Sequence, residues 1–173
     1  ELFSVKYFKK RAYLAQSPQF YKQMMVAAGY ERVFEVGRTY RAELHNTNRH
    51  LNEFISLDVE MGFIKDENDL MAIENEFLRH LFASLPETCG EELARYGVEL
   101  SDPGVIPRLS VGEAQALLKA EYGKSLPPGS IDAEAEKLLG QYVKAKTGSD
   151  FLFLTGYPVS KRPVYAMPEE EDP

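Results

Sequence analysis

The stretch Phe54–Phe63 constrains this chain more than any other. Side chains alternate across an extended strand. Ile55, Leu57, Val59, Met61 and Phe63 therefore share one face, and it is wholly apolar. Phe54, Ser56, Asp58, Glu60 and Gly62 share the other. The first face predicts packing on a core layer. The second presents an aromatic ring, a hydroxyl and two carboxylates in a row.

A strand over 51–64 needs a partner, and the residues just upstream supply one. Glu31–Glu43 is rich in Val, Phe, Thr and Tyr and reads as a long strand. The polar stretch Leu44–His50 reads as the loop of an antiparallel pair. On the first strand Thr39, Arg41 and Glu43 share a face. If the polar faces lie together, one guanidinium and three carboxylates line one platform. Pattern alone leaves two readings open, a ligand platform and a merely solvated sheet face. Lys is common on solvated faces, yet none stands between Glu43 and Lys65.

Further elements follow from local chemistry. Leu2–Phe8 and Arg11–Leu14 read as short strands around a basic turn. Ser17-Pro18 starts a helix, since Ser accepts from first-turn amides and Pro suits the first helical position. It runs to about Ala28 and stops at Gly29. Apolar residues at 70, 71, 73, 77, 78 and 81 predict an amphipathic helix over Glu67–Leu85, closed by Pro86 and Gly90. Glu91–Pro107 reads as irregular. Ser110 with Glu113 makes a capping box for a short helix. Gly123–Gly129 is a loop, Ile131–Lys146 a helix, and Phe151–Thr155 and Val164–Met167 are strands. The acidic tail 169–173 reads as leading into a further segment.

Net charge is −7 with no long basic run, so electrostatics alone does not mark a nucleic-acid binder. Any such contact needs a local patch or another domain. The single Cys89 and three histidines, His45, His50 and His80, give no zinc spacing. Cys89 cannot close an internal disulfide, which favours a reducing, cytoplasmic setting. No apolar run reaches membrane-spanning length. Gly123-Lys124-Ser125 is not the end of a phosphate-binding P-loop, because Leu118 stands where that motif needs Gly. The acidic clusters at 66–69 and 169–172 read as solvated surface.

Two segments carry a resemblance. Val36-Gly37-Arg38-Thr39-Tyr40-Arg41-Ala42-Glu43, the loop to Arg49-His50, and Leu51-Asn52-Glu53-Phe54 resemble motif 2 of class II aminoacyl-tRNA synthetases. Gln16-Ser17-Pro18-Gln19-Phe20-Tyr21-Lys22-Gln23 resembles the amino-acid-binding segment of the aspartyl-tRNA synthetases, and Asn46–Glu53 looks most like their archaeal-type branch. The likeness covers most of the chain and is weaker over 90–130. Tyr40 stands in place of the commoner Phe of the motif.

The resemblance implies an α/β fold of the α+β type, in which the antiparallel class II sheet is flanked by helices. It implies one incomplete catalytic domain over 1–173, with motif 1, motif 3 and the anticodon-binding module outside this chain. The activity implied is ATP-dependent activation of L-aspartate and transfer to the tRNA for aspartate, with the tRNA for asparagine left open. Arg41 then holds the α-phosphate and the substrate carboxylate as the catalytic group. Its planar fork suits two reactants at once. Glu43, Arg49, His50, Phe54 and Glu60 bind ATP. Phe54 stacks beneath adenine, and Glu60 contacts ATP or its magnesium ion or organises Arg41. Lys22 pairs with the aspartate side chain, Asp58 with its ammonium, and Ser17, Gln19 and Gln16 assist. Mg2+ is expected to find its ligands mainly in motif 3, with no metal site within this chain. The whole protein is expected to be a homodimer. The rival readings are a paralogue that makes asparagine and a non-catalytic binding subunit of the same fold.

Overall fold

The computed structural model describes residues 2–44 and 50–168. The chain divides into two compact units, Glu1–Leu70 and Met71–Pro173. In the first, strands β1 (Ser4–Tyr7) and β2 (Lys10–Tyr13) form an antiparallel hairpin. Helix α1 (Gln19–Ala27) follows, then strands β3 (Arg32–Tyr40) and β4 (Glu53–Met61).

β3 and β4 pair antiparallel, with Glu35 opposite Asp58, Gly37 opposite Ser56 and Thr39 opposite Phe54. The two strands of the sequence reading are therefore present, each shorter than expected. Arg41 and Glu43 lie just past β3, although the Arg41 amide still donates to the Asn52 carbonyl at 3.0 Å. The polar face of the pair is Glu35, Gly37 and Thr39 with Phe54, Ser56, Asp58 and Glu60.

The expected core layer on the apolar face is not there among the described residues. Ile55 is 69% exposed and Phe34 73%. Helix α1 lies on the polar face instead. Its Val26 sits against Gly62, where a Cβ would come within 2.6 Å of a Val26 methyl. Its Lys22 is buried there.

Helix α2 (Glu67–Tyr96) begins at the end of the first unit and continues into the second. It runs past Pro86 and bends at Cys89, whose φ of −133° is not helical. The expected stop over Pro86–Gly90 thus coincides with a break between two helical halves, and the second half carries helix on to Tyr96, in a stretch expected to be irregular. Proline removes one i→i−4 hydrogen bond and bends or ends a helix near it. Before the break Phe82 packs edge-on against Phe151 at 5.6 Å.

The second unit continues with strand β5 (Arg108–Ser110), helices α3 (Val111–Tyr122) and α4 (Ala133–Thr147), and strand β6 (Phe153–Thr155). β5 and β6 pair in parallel, which requires a crossover, and α3 and α4 supply it. The capping box is present: the Glu113 amide donates to Ser110 Oγ at 3.1 Å and the Ser110 amide to Glu113 Oε2 at 2.7 Å. Asp132 caps α4 through the Ala135 amide at 2.7 Å. The apolar core is here, with Ala114, Leu118, Ala135 and Leu139 buried together. β5 is a strand that the sequence reading missed. Val164–Met167, expected as a strand, is a turn with Val164 wholly exposed. A strand needs a partner for its backbone groups, and among the described residues it has none.

Candidate active site

The site is built in the first unit where α1 meets the polar face of β3–β4. Gln19 and Lys22 are three residues apart and point the same way. Lys22 Nζ donates to Asp58 Oδ1 at 3.0 Å and lies 3.6 Å from Glu60 Oε2. Gln19 Nε2 donates to the same Glu60 oxygen at 3.3 Å. Lys22 is only 5% exposed, so burial removes most of its water and the two carboxylates replace it.

Asp58 has a second anchor. Ser56 Oγ donates to Asp58 Oδ2 at 2.5 Å. That hydrogen bond is the largest influence on the Asp58 carboxyl; burial opposes it, and Lys22 and the charge of Arg41 add to it, so the group is held below its ordinary 3.8. It is a carboxylate at neutral pH. An open cleft beside it is lined by Ser17, Tyr21, Glu35, Gly37, Thr39 and Asp58, among others.

At the end of β3 the Arg41 guanidinium lies 5.4 Å from the centroid of the Phe54 ring, and Arg41 Nε donates weakly to the Gln16 carbonyl at 3.5 Å. This cation stays charged at any working pH. The Glu43 amide is tied to Asn52 Oδ1 at 3.1 Å, which joins the two ends of the hairpin loop. His50 is half-buried at a single bridge position. Arg49 lies outside the described residues.

The geometry thus brings Gln16, Ser17, Gln19, Lys22, Arg41, Phe54, Asp58 and Glu60 to one side of one sheet. Glu60, expected to contact ATP or to organise Arg41, has its contacts here with Lys22 and Gln19, where α1 packs across that end of β4. Thr39, expected on the platform face, is there and is buried, whereas the sequence reading missed Glu35, directly opposite Asp58. The alternation on β3 was the available signal for both. Among the described residues no group of three or more His, Cys, Asp or Glu could hold a metal.

The family model for tRNA synthetases class II (D, K and N) matches residues 1–173. The chain belongs to this family. It is 53% identical over 172 residues to the aspartate–tRNA(Asp/Asn) ligase of Thermus thermophilus, covering 98% of this chain and 40% of that protein. It is 43% identical to the aspartate–tRNA(Asp) ligase of Pyrococcus horikoshii, covering 100% of this chain and again 40% of the relative. Among solved structures, the aspartyl-tRNA synthetase of Entamoeba histolytica superposes with a TM-score of 0.84 at 36% identity, over 93% of this chain and 34% of that one. The chain spans about 40% of the length of the curated relatives it matches. The mixture of helices with small antiparallel sheets, the β3–β4 pair among them, agrees with the fold class the motifs implied. No helix of the described residues is long and apolar enough to cross a membrane.

Proposed function

We propose that this chain is the aspartate- and ATP-binding portion of an aspartate–tRNA ligase. The observation that carries the reading is the buried Lys22–Asp58 pair at 3.0 Å. An aspartate substrate brings a carboxylate for the ammonium and an ammonium for the carboxylate. It exchanges one internal ion pair for two pairs with itself, so neither buried charge is left alone. Asparagine brings no second carboxylate and leaves Lys22 without an anion for its side-chain end. That difference matters because the asparaginyl-tRNA synthetase of Pyrococcus horikoshii superposes almost as well, with a TM-score of 0.83 at 30% identity. Fold does not separate the two amino acids; the charge of Lys22 does.

In this reading Gln19 and Ser17 steer the substrate ammonium toward Asp58, with Gln16 behind them. Glu60 belongs to the amino-acid side as the group that keeps Lys22 in place. Phe54 presents an aromatic face to adenine. Arg41 bridges the substrate α-carboxylate and the α-phosphate while that carboxylate attacks phosphorus and pyrophosphate leaves. Glu43 and His50, with Arg49, serve the rest of ATP. The protein does little covalent chemistry in such a step; it positions groups and stabilises charge. Transfer to tRNA, and the dimer expected of the whole protein, involve the full-length molecule.

The test is aspartate-dependent ATP–pyrophosphate exchange by the full-length protein. Wild type should exchange with aspartate and not with asparagine, and Arg41→Ala should lose at least a hundredfold, about 2.7 kcal/mol of transition-state stabilisation. Full activity of Arg41→Ala, or equal exchange with asparagine, would refute the reading.

A further inference from the structure

The β1–β2 hairpin is the part of the molecule that the proposed site leaves unused. Residues 2–30 hold five cations and no acidic residue, in a chain whose net charge is −7. Four of the five, Lys6, Lys9, Lys10 and Arg11, are on this hairpin and all are exposed. Lys6 and Arg11 are directly opposed across the two strands. Like charges so placed repel, and among the described residues no ion pair is seen that offsets them.

Aromatic rings sit among the cations. Tyr13 is two residues from Arg11 on the same face, and Tyr7 pairs with Lys10 on the other. Phe8 occupies the first position of the two-residue turn and is 83% exposed. Its φ is +51°, where hairpin turns favour Gly, Asn or Asp. A bulky side chain is disfavoured there, and the ring's neighbour is Tyr7, edge-on at 4.9 Å.

We propose that this hairpin is an RNA-contacting surface, with Lys6, Lys9, Lys10 and Arg11 on phosphates and Phe8 stacked on an unpaired base. Three observations converge on an RNA strand: a local concentration of cations on an acidic chain, their like-charge opposition, and an aromatic held out at a strained turn. Phosphates relieve the repulsion, and a base stacks on the Phe8 ring, which stays 83% exposed beside its edge-on contact with Tyr7. The inference rests on the ligase reading only in taking the RNA to be tRNA.

The experiment uses the full-length protein and a tRNA transcript for aspartate. Equilibrium binding is measured across a salt series, beside aspartate-dependent pyrophosphate exchange, which needs no tRNA. Lys9→Gln/Lys10→Gln should weaken tRNA binding at least tenfold and make the log–log salt dependence shallower by about 2. Phe8→Gly, which suits a positive φ, should weaken binding roughly five- to hundredfold with the salt dependence unchanged. Exchange should stay within about twofold of wild type in both. Unaltered tRNA binding in both variants would overturn the proposal. So would loss of exchange together with a changed assembly size, which would mean that the hairpin packs against protein. If wild type shows no exchange yet the variants still weaken tRNA binding, the ligase reading fails and the RNA surface stands.

Discussion

Lys22 is the least replaceable residue in the first unit, because two carboxylates depend on it. Removing one partner of an ion pair leaves the other without its counter-ion, at a cost that falls as the remaining charge gains solvent. Asp58 and Glu60 keep 21% and 27% side-chain exposure, so Lys22→Met should destabilise the protein by about 1–3 kcal/mol, read as a lowered denaturation midpoint. Adding Asp58→Asn to that variant should recover part of the loss. Strict additivity of the two changes would show that the pair is not coupled. Asp58 makes a second prediction through its pH dependence. Its carboxyl is held below 3.8 in the folded protein, first by Ser56 and then by Lys22. A lowered folded value means stabilisation that is complete above about pH 3.8 and fades as pH falls through the folded value. Ser56→Ala should move the Asp58 titration upward, measured by carboxyl carbon NMR, and the loss on acidification should begin at higher pH. An unmoved titration would mean that Lys22 alone holds the carboxylate. These residues also mark the limit of the sequence. Lys22, Arg41 and Asp58 are legible because a motif or an alternating strand exposes them. Alternation also puts Thr39 and Glu35 on that face, but which β4 residues stand opposite them depends on cross-strand register, which the pattern alone leaves open.

At the scale of elements, α1 and β4 meet through a contact that only glycine permits. A Cβ on Gly62 would stand 2.6 Å from a Val26 methyl, closer than packed carbons come. Gly62→Ala should cost about 1–3 kcal/mol as overpacking, and Val26→Ala in the same chain should return most of it. Because α1 carries Lys22, the single variant should also raise KM for aspartate more than KM for ATP. Equal rises would place the strain elsewhere. The elements that the sequence predicts best are those with their own end signals. Ser110 and Glu113 mark the start of α3, and Asp132 and Gly148 bracket α4. Pro86 and Gly90 mark the break at Cys89, but no pattern in 91–107 announces the helical half that follows it to Tyr96. The three-residue β5 has no alternating pattern of its own and exists through its pairing with β6. There tertiary contact overrides propensity.

At the scale of the whole molecule, apolar burial is unevenly shared. The second unit buries Leu118, Leu139, Val111 and Val143 around two capped helices and a parallel strand pair. The buried residues of the first unit, Pro18, Lys22 and Thr39, are not core hydrophobes, and its Phe34, Val36, Ile55, Leu57 and Val59 are exposed. Hydrophobic burial is the main driving force that offsets chain entropy. A sheet pair with one wet apolar face has little of it. The segment 71–173 should therefore unfold cooperatively on its own, with a sharp thermal transition in the helical circular dichroism signal. The segment 2–70 alone should show no such transition and should bind a hydrophobic dye through its bare sheet face. Within the second unit Leu118→Ala should cost about 2–5 kcal/mol and lower the transition of the 71–173 segment. A cooperative 2–70 segment would mean that the Lys22 ion pairs and the strand ladder hold that unit without a core, and the site would then be a stable scaffold in itself. An uncooperative one would make the site's geometry conditional on cover for the apolar face, so charge placement around Lys22 would depend on packing at the opposite side of the same two strands.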